Sequence, residues 1–187
     1  AAATPDAPAL IQWTDAGVRS VSFKELRGRA DRLANSLAGL GVAPGDRVGI
    51  LLPQCVEAAE AHLAVYKLGA VAIPLFTLFG PDALAYRLAD SGASALIGTA
   101  DGLATVDSVR DQVPDLRHRI AVHGDAPGAH GYEALLAKAR DRFETADTAA
   151  DDPAVVIYTS GTTGNPKGAL HAHRVLLGHL PGVEFPH

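Results

Sequence analysis

Arg47-Val48-Gly49-Ile50-Leu51-Leu52 is a run in which apolar residues occupy odd and even positions alike. Successive side chains of a strand point to opposite faces, so a run apolar at both parities belongs to a strand covered on both sides. That is the habit of a central strand in a parallel sheet. Pro44-Gly45 turns the chain into it, and Gly39 and Gly41 end whatever precedes the turn.

Upstream, Leu26, Ala30, Leu33, Leu37 and Leu40 recur at intervals of three and four, one apolar stripe of a helix. Ser22 with Glu25 three residues on is a capping-box pattern that starts it. Before that, Ala9–Trp13 and Val21–Phe23 flank Asp15-Ala16-Gly17 and read as a short hairpin. Downstream, the spacing predicts a helix from Gln54 to Leu68, with Val56, Ala59, Leu63 and Tyr66 inward and Glu57 and Glu60 on the wet side. Val71–Leu75 is the next strand, and Pro81 at a first helical position opens a helix over Asp82–Ala89. Ala95–Ile97 and Arg119–Val122 are further buried strands, and His123–Gly131 is a loop. Strands separated by helices imply crossovers, hence an α/β fold with a mostly parallel, twisted sheet flanked by helices. The acidic, aperiodic stretch from Glu144 to Pro153 reads as a linker, which divides the chain into an α/β subdomain over 1–153 and the start of a next segment over 154–187.

A length of 187 residues suits one such domain, or a domain and a fragment, with ample material for a core. Sixteen basic against twenty-one acidic groups leave a net charge of −5, with no basic cluster, so a nucleic-acid binder is disfavoured. No apolar run approaches the roughly 18 residues of a membrane span. Cys55 is the single cysteine, and the N-terminus lacks a signal-peptide layout, which points to a reducing, cytoplasmic setting. The absence of methionine and a start just ahead of a strand suggest a piece of a longer protein.

The chemistry gathers behind the strand Ala154–Tyr158, in Thr159-Ser160-Gly161-Thr162-Thr163-Gly164-Asn165-Pro166-Lys167-Gly168. Glycines let backbone N–H groups converge on phosphate oxygens, hydroxyls add hydrogen bonds or ligate a metal ion, and lysine adds a point charge. A solvated turn is the bland alternative, outweighed by the density of donors beside Lys167. A Walker A loop would open a helix and carry Ser or Thr after its lysine. Here Pro166 precedes Lys167, and Gly168–His171 reads as a strand. Gly39, Gly41 and Gly45 have the wrong spacing for a dinucleotide fingerprint.

The segment Tyr158–Gly168 resembles the phosphate-binding signature of adenylate-forming enzymes, a family that includes acyl-CoA and aryl-CoA synthetases, luciferases and peptide-synthetase adenylation domains. Val21–Leu26, Gly45–Pro53 and Tyr66–Leu75 are similar to segments of that family in the same order, and Phe76–Leu84 looks closest to synthetases for short or medium acyl chains. The resemblance implies part of the large N-terminal domain of such an enzyme. It implies attack of a carboxylic acid on ATP to give an acyl-adenylate and pyrophosphate, then thioester formation with CoA, with Mg²⁺ assisting. By family match Thr159, Ser160, Gly161, Thr162, Thr163 and Gly164 wrap the β- and γ-phosphates, Thr159 lies near the metal and Lys167 adds charge. The resemblance also implies that residues completing the reaction lie beyond His187, so that the fragment alone is inactive and, with apolar surface uncovered, self-associates.

His173 lies where related enzymes place a histidine beside the acyl group, near a strand's C-terminal end where open sheets bind ligands. His171 with His173 lacks the third and fourth ligands that zinc needs. Cys55 reads as a helix-start residue rather than a nucleophile, and Asp151-Asp152 as a solvated turn. The competing reading is a non-catalytic module that holds a phosphate-bearing ligand or serves structure alone.

Overall fold

The computed structural model describes residues 3–15, 17–159 and 165–180. Strands β1 (Pro8–Thr14) and β2 (Gly17–Ser22) pair antiparallel as a sheet of their own. Helix α1 (Phe23–Gly39) follows, its first turn closed by the Ser22 hydroxyl, which accepts from the Glu25 amide at 3.2 Å. Then come β3 (Arg47–Leu51), α2 (Val56–Leu68), β4 (Val71–Pro74), α3 (Pro81–Ser91), β5 (Ala95–Thr99) and α4 (Ala100–Asp107). The chain continues through β6 (His118–Val122), β7 (His130–Gly131), α5 (Tyr132–Lys138), β8 (Pro153–Thr159), β9 (Lys167–Ala172) and α6 (Arg174–Gly178).

The main sheet has the order β7-β6-β5-β3-β4-β8-β9 and is parallel throughout except for the β8–β9 pair. From β4 to β7 this is a doubly wound order of the flavodoxin type, with the winding direction reversing between β3 and β5. The expected alternation of strands and helices is thus observed. The shorter elements β7, α4 and α5 join those read from the sequence. Where the sequence suggests a segment boundary at Pro153, the sheet runs on: β8 lies parallel beside β4, and β9 closes the edge.

Two cores flank the sheet. Val48, Ile50, Ile97 and Ile120 pack with Leu33, Leu37, Val65 and Leu136 of α1, α2 and α5. Leu51, Ile73, Leu96 and Ala121 pack with Leu84, Leu88, Leu103 and Val106 of α3 and α4. Each strand splits its residues by parity between these layers, which is why the 47–52 run is apolar at every step. Gly49 is the residue of β3 that admits α3 closely, since a Cβ there would sit 2.8 Å from Leu96 Cδ1 and 3.1 Å from Leu88 Cδ2.

Helix α2 corrects one expectation. Glu57 and Glu60 are only 4% and 0% exposed, whereas Leu63 is 38% exposed. The helix turns its Ala61, Ala64, Val65 and Leu68 to the core and carries the acids inward with them, because three other elements supply their partners. Arg29 of α1 donates from Nε to Glu60 Oε1 at 2.6 Å, and the Tyr132 hydroxyl of α5 donates to Oε2 at 2.5 Å. Arg19 of β2 donates to Glu57 Oε1 at 2.9 Å, with His123 Nε2 at 3.4 Å from Oε2. Burial pushes the Glu57 carboxyl up, but the Arg19 hydrogen bond, with smaller help from the backbone and His123, holds it below the usual range.

Two outcomes follow from this packing. Gly49→Ala should destabilise the chain by about 1–3 kcal/mol through overpacking, as read from the urea midpoint; Gly28→Ala, whose Cβ meets nothing within 4 Å, is the neutral or stabilising control. Because the Glu57 pKa is lower folded than unfolded, its contribution is present above the unfolded value of about 4.3 and disappears as pH falls through the folded one. Glu57→Gln should therefore flatten the stability profile in the acid range, and an unchanged slope would contradict the pairing.

Candidate functional site

The β8–β9 hairpin carries the candidate site. Parallel pairing with β4 puts Thr159, the last residue of β8, at the same sheet edge as the C-terminal ends of β3 and β4. Open α/β sheets bind ligands outside this edge. Antiparallel return through β9 then sets Lys167 directly opposite Thr159 in the ladder. Both side chains are exposed, and the Thr159 hydroxyl lies 3.5 Å from the Lys167 carbonyl oxygen as a weak donor. Ser160, Gly161, Thr162, Thr163 and Gly164, the remaining expected phosphate ligands, lie outside the described residues.

Tyr158, just before the loop, is boxed. It faces Gly168 across the ladder, and a Cβ on Gly168 would stand 2.8 Å from Val156 Cγ1 and 3.3 Å from the Tyr158 ring, so glycine lets the aromatic ring lie over β9. The ring meets Tyr86 edge-on at 6.4 Å, and the Arg87 guanidinium lies over it at 5.8 Å and over Phe79 at 4.1 Å. The Tyr158 hydroxyl donates to Asp90 Oδ2 at 2.6 Å, and burial followed by this carboxylate raises its pKa. The Tyr86 hydroxyl donates to the Pro166 carbonyl at 3.0 Å. None of these α3 residues is singled out by the sequence reading. The signal that could have found Tyr86 and Asp90 is their i,i+4 spacing, which puts two polar groups on one face of the helix.

His173 is placed differently from the expectation. The sequence sets it near the C-terminal end of a strand and so near the ligand edge, but β9 runs antiparallel, and its end falls at the N-terminal edge of the parallel strands. The His173 amide bonds the Asp152 carbonyl there. At about 3.4 Å per residue the hairpin separates it from Thr159 and Lys167 by about 20 Å. Its ring stands edge-on to Tyr66 at 6.0 Å, and its buried Nε2 has no hydrogen-bond partner among the described residues.

Beside the same edge as Thr159, a cleft of about 480 Å³ opens between β1 and the ends of β3 and β4, lined by Leu10, Leu52, Cys55, His62, Leu75 and Phe76. Cys55 precedes the first turn of α2, and burial, the largest influence, pushes its thiol up to about 11, so it stays protonated at neutral pH. Among the described residues no group of three or more His, Cys, Asp or Glu could hold a metal ion. Thr159 offers a single hydroxyl, which is no cage for Mg²⁺ without oxygens brought by a ligand. Asp151 and Asp152 form an exposed turn, the first paired with Arg174 and the second accepting from the Ala149 amide at 2.8 Å. No helix among the described residues is long and apolar enough to cross a membrane.

Fold and sequence together define a doubly wound α/β domain with a glycine- and hydroxyl-rich segment between Thr159 and Lys167, two residues paired at the C-terminal edge of its parallel strands. The chain belongs to the AMP-binding enzyme family, whose profile matches residues 1–184. It is 36% identical over 183 residues to an acetyl-coenzyme A synthetase of Nostoc linckia, covering 89% of this chain and 53% of that one. It is 38% identical over 170 residues to an acetyl-coenzyme A synthetase of Xanthobacter autotrophicus, covering 82% of this chain and 26% of that one. The crystal structure of the anthranilate CoA ligase AuaEII in complex with anthranoyl-AMP superimposes with a TM-score of 0.89 at 32% identity, over 97% of this chain and 35% of that chain. The chain thus spans between about a quarter and a half of the length of these relatives.

Gly168→Val would force a branched side chain into the Tyr158 ring and Val156. It should raise amide exchange through β8 and β9 well above that of β3, as measured by hydrogen–deuterium exchange; equal protection in variant and parent would show that the ring does not need the glycine.

Proposed function

We propose that the chain is the phosphate-loop-bearing part of an AMP-forming carboxylate–CoA ligase. In that reaction a carboxylate oxygen attacks the α-phosphorus of ATP, the bond to the β-phosphate oxygen breaks, and pyrophosphate leaves. The thiol of CoA then attacks the acyl carbon and AMP departs. The observation that carries the reading is the position of the two stems: Thr159 and Lys167 face each other at the C-terminal edge of the parallel strands, in a chain of the AMP-binding enzyme family.

In this reading the residues from Thr159 to Gly164 turn backbone N–H groups and hydroxyls toward the β- and γ-phosphates, where fixed donors stabilise charge that grows on the leaving group. Lys167, directly across from Thr159, adds a point charge on the return strand. Mg²⁺ would reach the loop with ATP, its ligands mostly phosphate oxygens and water, and Thr159 would add one hydroxyl. The acyl role expected for His173 is not carried into this proposal, since the hairpin holds it at the far end. The likeness of Phe76–Leu84 to synthetases for short and medium chains supports an aliphatic acid as substrate and a place in fatty acid metabolism; the single cysteine, Cys55, supports a reducing setting such as the cytoplasm.

Titration calorimetry of the chain with Mg-ATP and with magnesium pyrophosphate should show binding of both, weakened several-fold by Lys167→Ala and by added salt. Absence of heat with either ligand would remove the polyphosphate reading. Adenylation is tested on the complete gene product by pyrophosphate release with aliphatic and aromatic acids; silence across the panel with binding intact would leave a non-catalytic binding module. We further propose that this chain self-associates through the open side of β9, the edge strand among the described residues, where Leu170 is 60% exposed. Sedimentation velocity should show a concentration-dependent dimer, and a strictly monomeric profile at high concentration would refute it.

A further inference from the structure

We infer that α3 is the anchor of the phosphate loop, holding its two stems separately, with Tyr86 and Asp90 as positioning residues for the polyphosphate; this rests on the reading of the loop given above. On the incoming stem, the Tyr158 hydroxyl reaches Asp90. On the outgoing stem, the Tyr86 hydroxyl reaches the Pro166 carbonyl. Proline has no N–H, so that carbonyl is the only backbone hydrogen-bonding group Pro166 offers. The stems need such anchors because, among the described residues, β9 has a strand neighbour on one side only, and because a glycine-rich sequence loses much conformational freedom on ordering. Both stems are tied to one helix whose inner residues Leu84 and Leu88 are 1% exposed, so their spacing is fixed before an anion arrives. That saves part of the ordering cost of binding.

The two anchors differ in a way that experiment can separate. Tyr86→Phe keeps the ring that meets Tyr158 edge-on and removes only the hydroxyl. Asp90→Asn keeps the shape and removes the charged acceptor. Magnesium pyrophosphate affinity by calorimetry and unfolding midpoints are measured for the wild-type chain, Tyr86→Phe, Asp90→Asn, Tyr158→Phe and the pairs. Each single change should weaken pyrophosphate binding about five-fold, the worth of one ordinary hydrogen bond, with little shift in the midpoint. Tyr158→Phe combined with Asp90→Asn should lose no more than Tyr158→Phe alone, since both act on one bond, whereas Tyr86→Phe combined with Asp90→Asn should multiply. Wild-type affinity in Tyr86→Phe and Asp90→Asn would overturn the inference, as would lowered midpoints without a change in affinity, the mark of a purely structural contact. Should the wild-type chain bind no pyrophosphate, the reading of the loop fails and the anchors are judged by hydrogen exchange at Lys167–Leu170. Faster exchange there in Tyr86→Phe, with β3 unchanged, upholds them, and unchanged exchange refutes them.

Discussion

β3 holds its place only because both of its faces are hidden. A parallel strand spends its backbone donors and acceptors on the strands beside it, and its side chains must then be covered above and below. Val48 and Ile50 go to the layer of α1, α2 and α5, and Leu51 to the layer of α3 and α4. Gly49 carries no side chain and brings α3 down close enough to seal the second layer. Every crossover in the chain can be read as a means of supplying one or the other cover, and the reversal between β3 and β5 is what places helices on both sides.

A sheet covered in this way is open at its rims and at the ends of its strands. The hairpin uses both openings. β8 joins the sheet in parallel beside β4, so the loop leaves from the end where ligands can approach, and β9 needs no crossover because it returns antiparallel at the rim. Among the described residues β9 is therefore paired on one side, and its Leu170 is exposed. Contacts from α3 offset this weakness: the Tyr158 ring is fixed between Gly168, Tyr86 and Arg87, and two hydroxyls tie the stems of the loop to one helix.

At the opposite side of the molecule a buried polar network ties four elements together. An isolated carboxylate enclosed like Glu60 would be costly, and the charged Arg29 and the Tyr132 hydroxyl together occupy both of its oxygens. Arg29 continues outward to Glu133, which links α1, α2 and α5 in one chain of bonds, and Arg19 brings the N-terminal hairpin to the same helix through Glu57. The rotation of α2 follows from these partners as much as from its apolar residues.

Much of the architecture was legible locally. The two-parity run at 47–52, the stripe of α1 with its Ser22 cap, Pro81 at the start of α3 and the strand feeding the glycine-rich loop are each written within a few residues, since period and capping depend on neighbours in the chain. The short elements β7, α4 and α5 were not, because two to eight residues carry too little periodicity to declare themselves. The order and direction of the strands, the inward turn of Glu57 and Glu60, the reversal that carries His173 away from Lys167 and the hold of α3 on the loop belong to the tertiary structure alone. Their causes are contacts between residues far apart: Arg29 lies 31 positions from Glu60, Tyr158 lies 68 from Asp90, and Tyr86 lies 80 from Pro166. A carboxylate's burial depends on whether a partner arrives, and no stretch of chain as short as a helix carries that information.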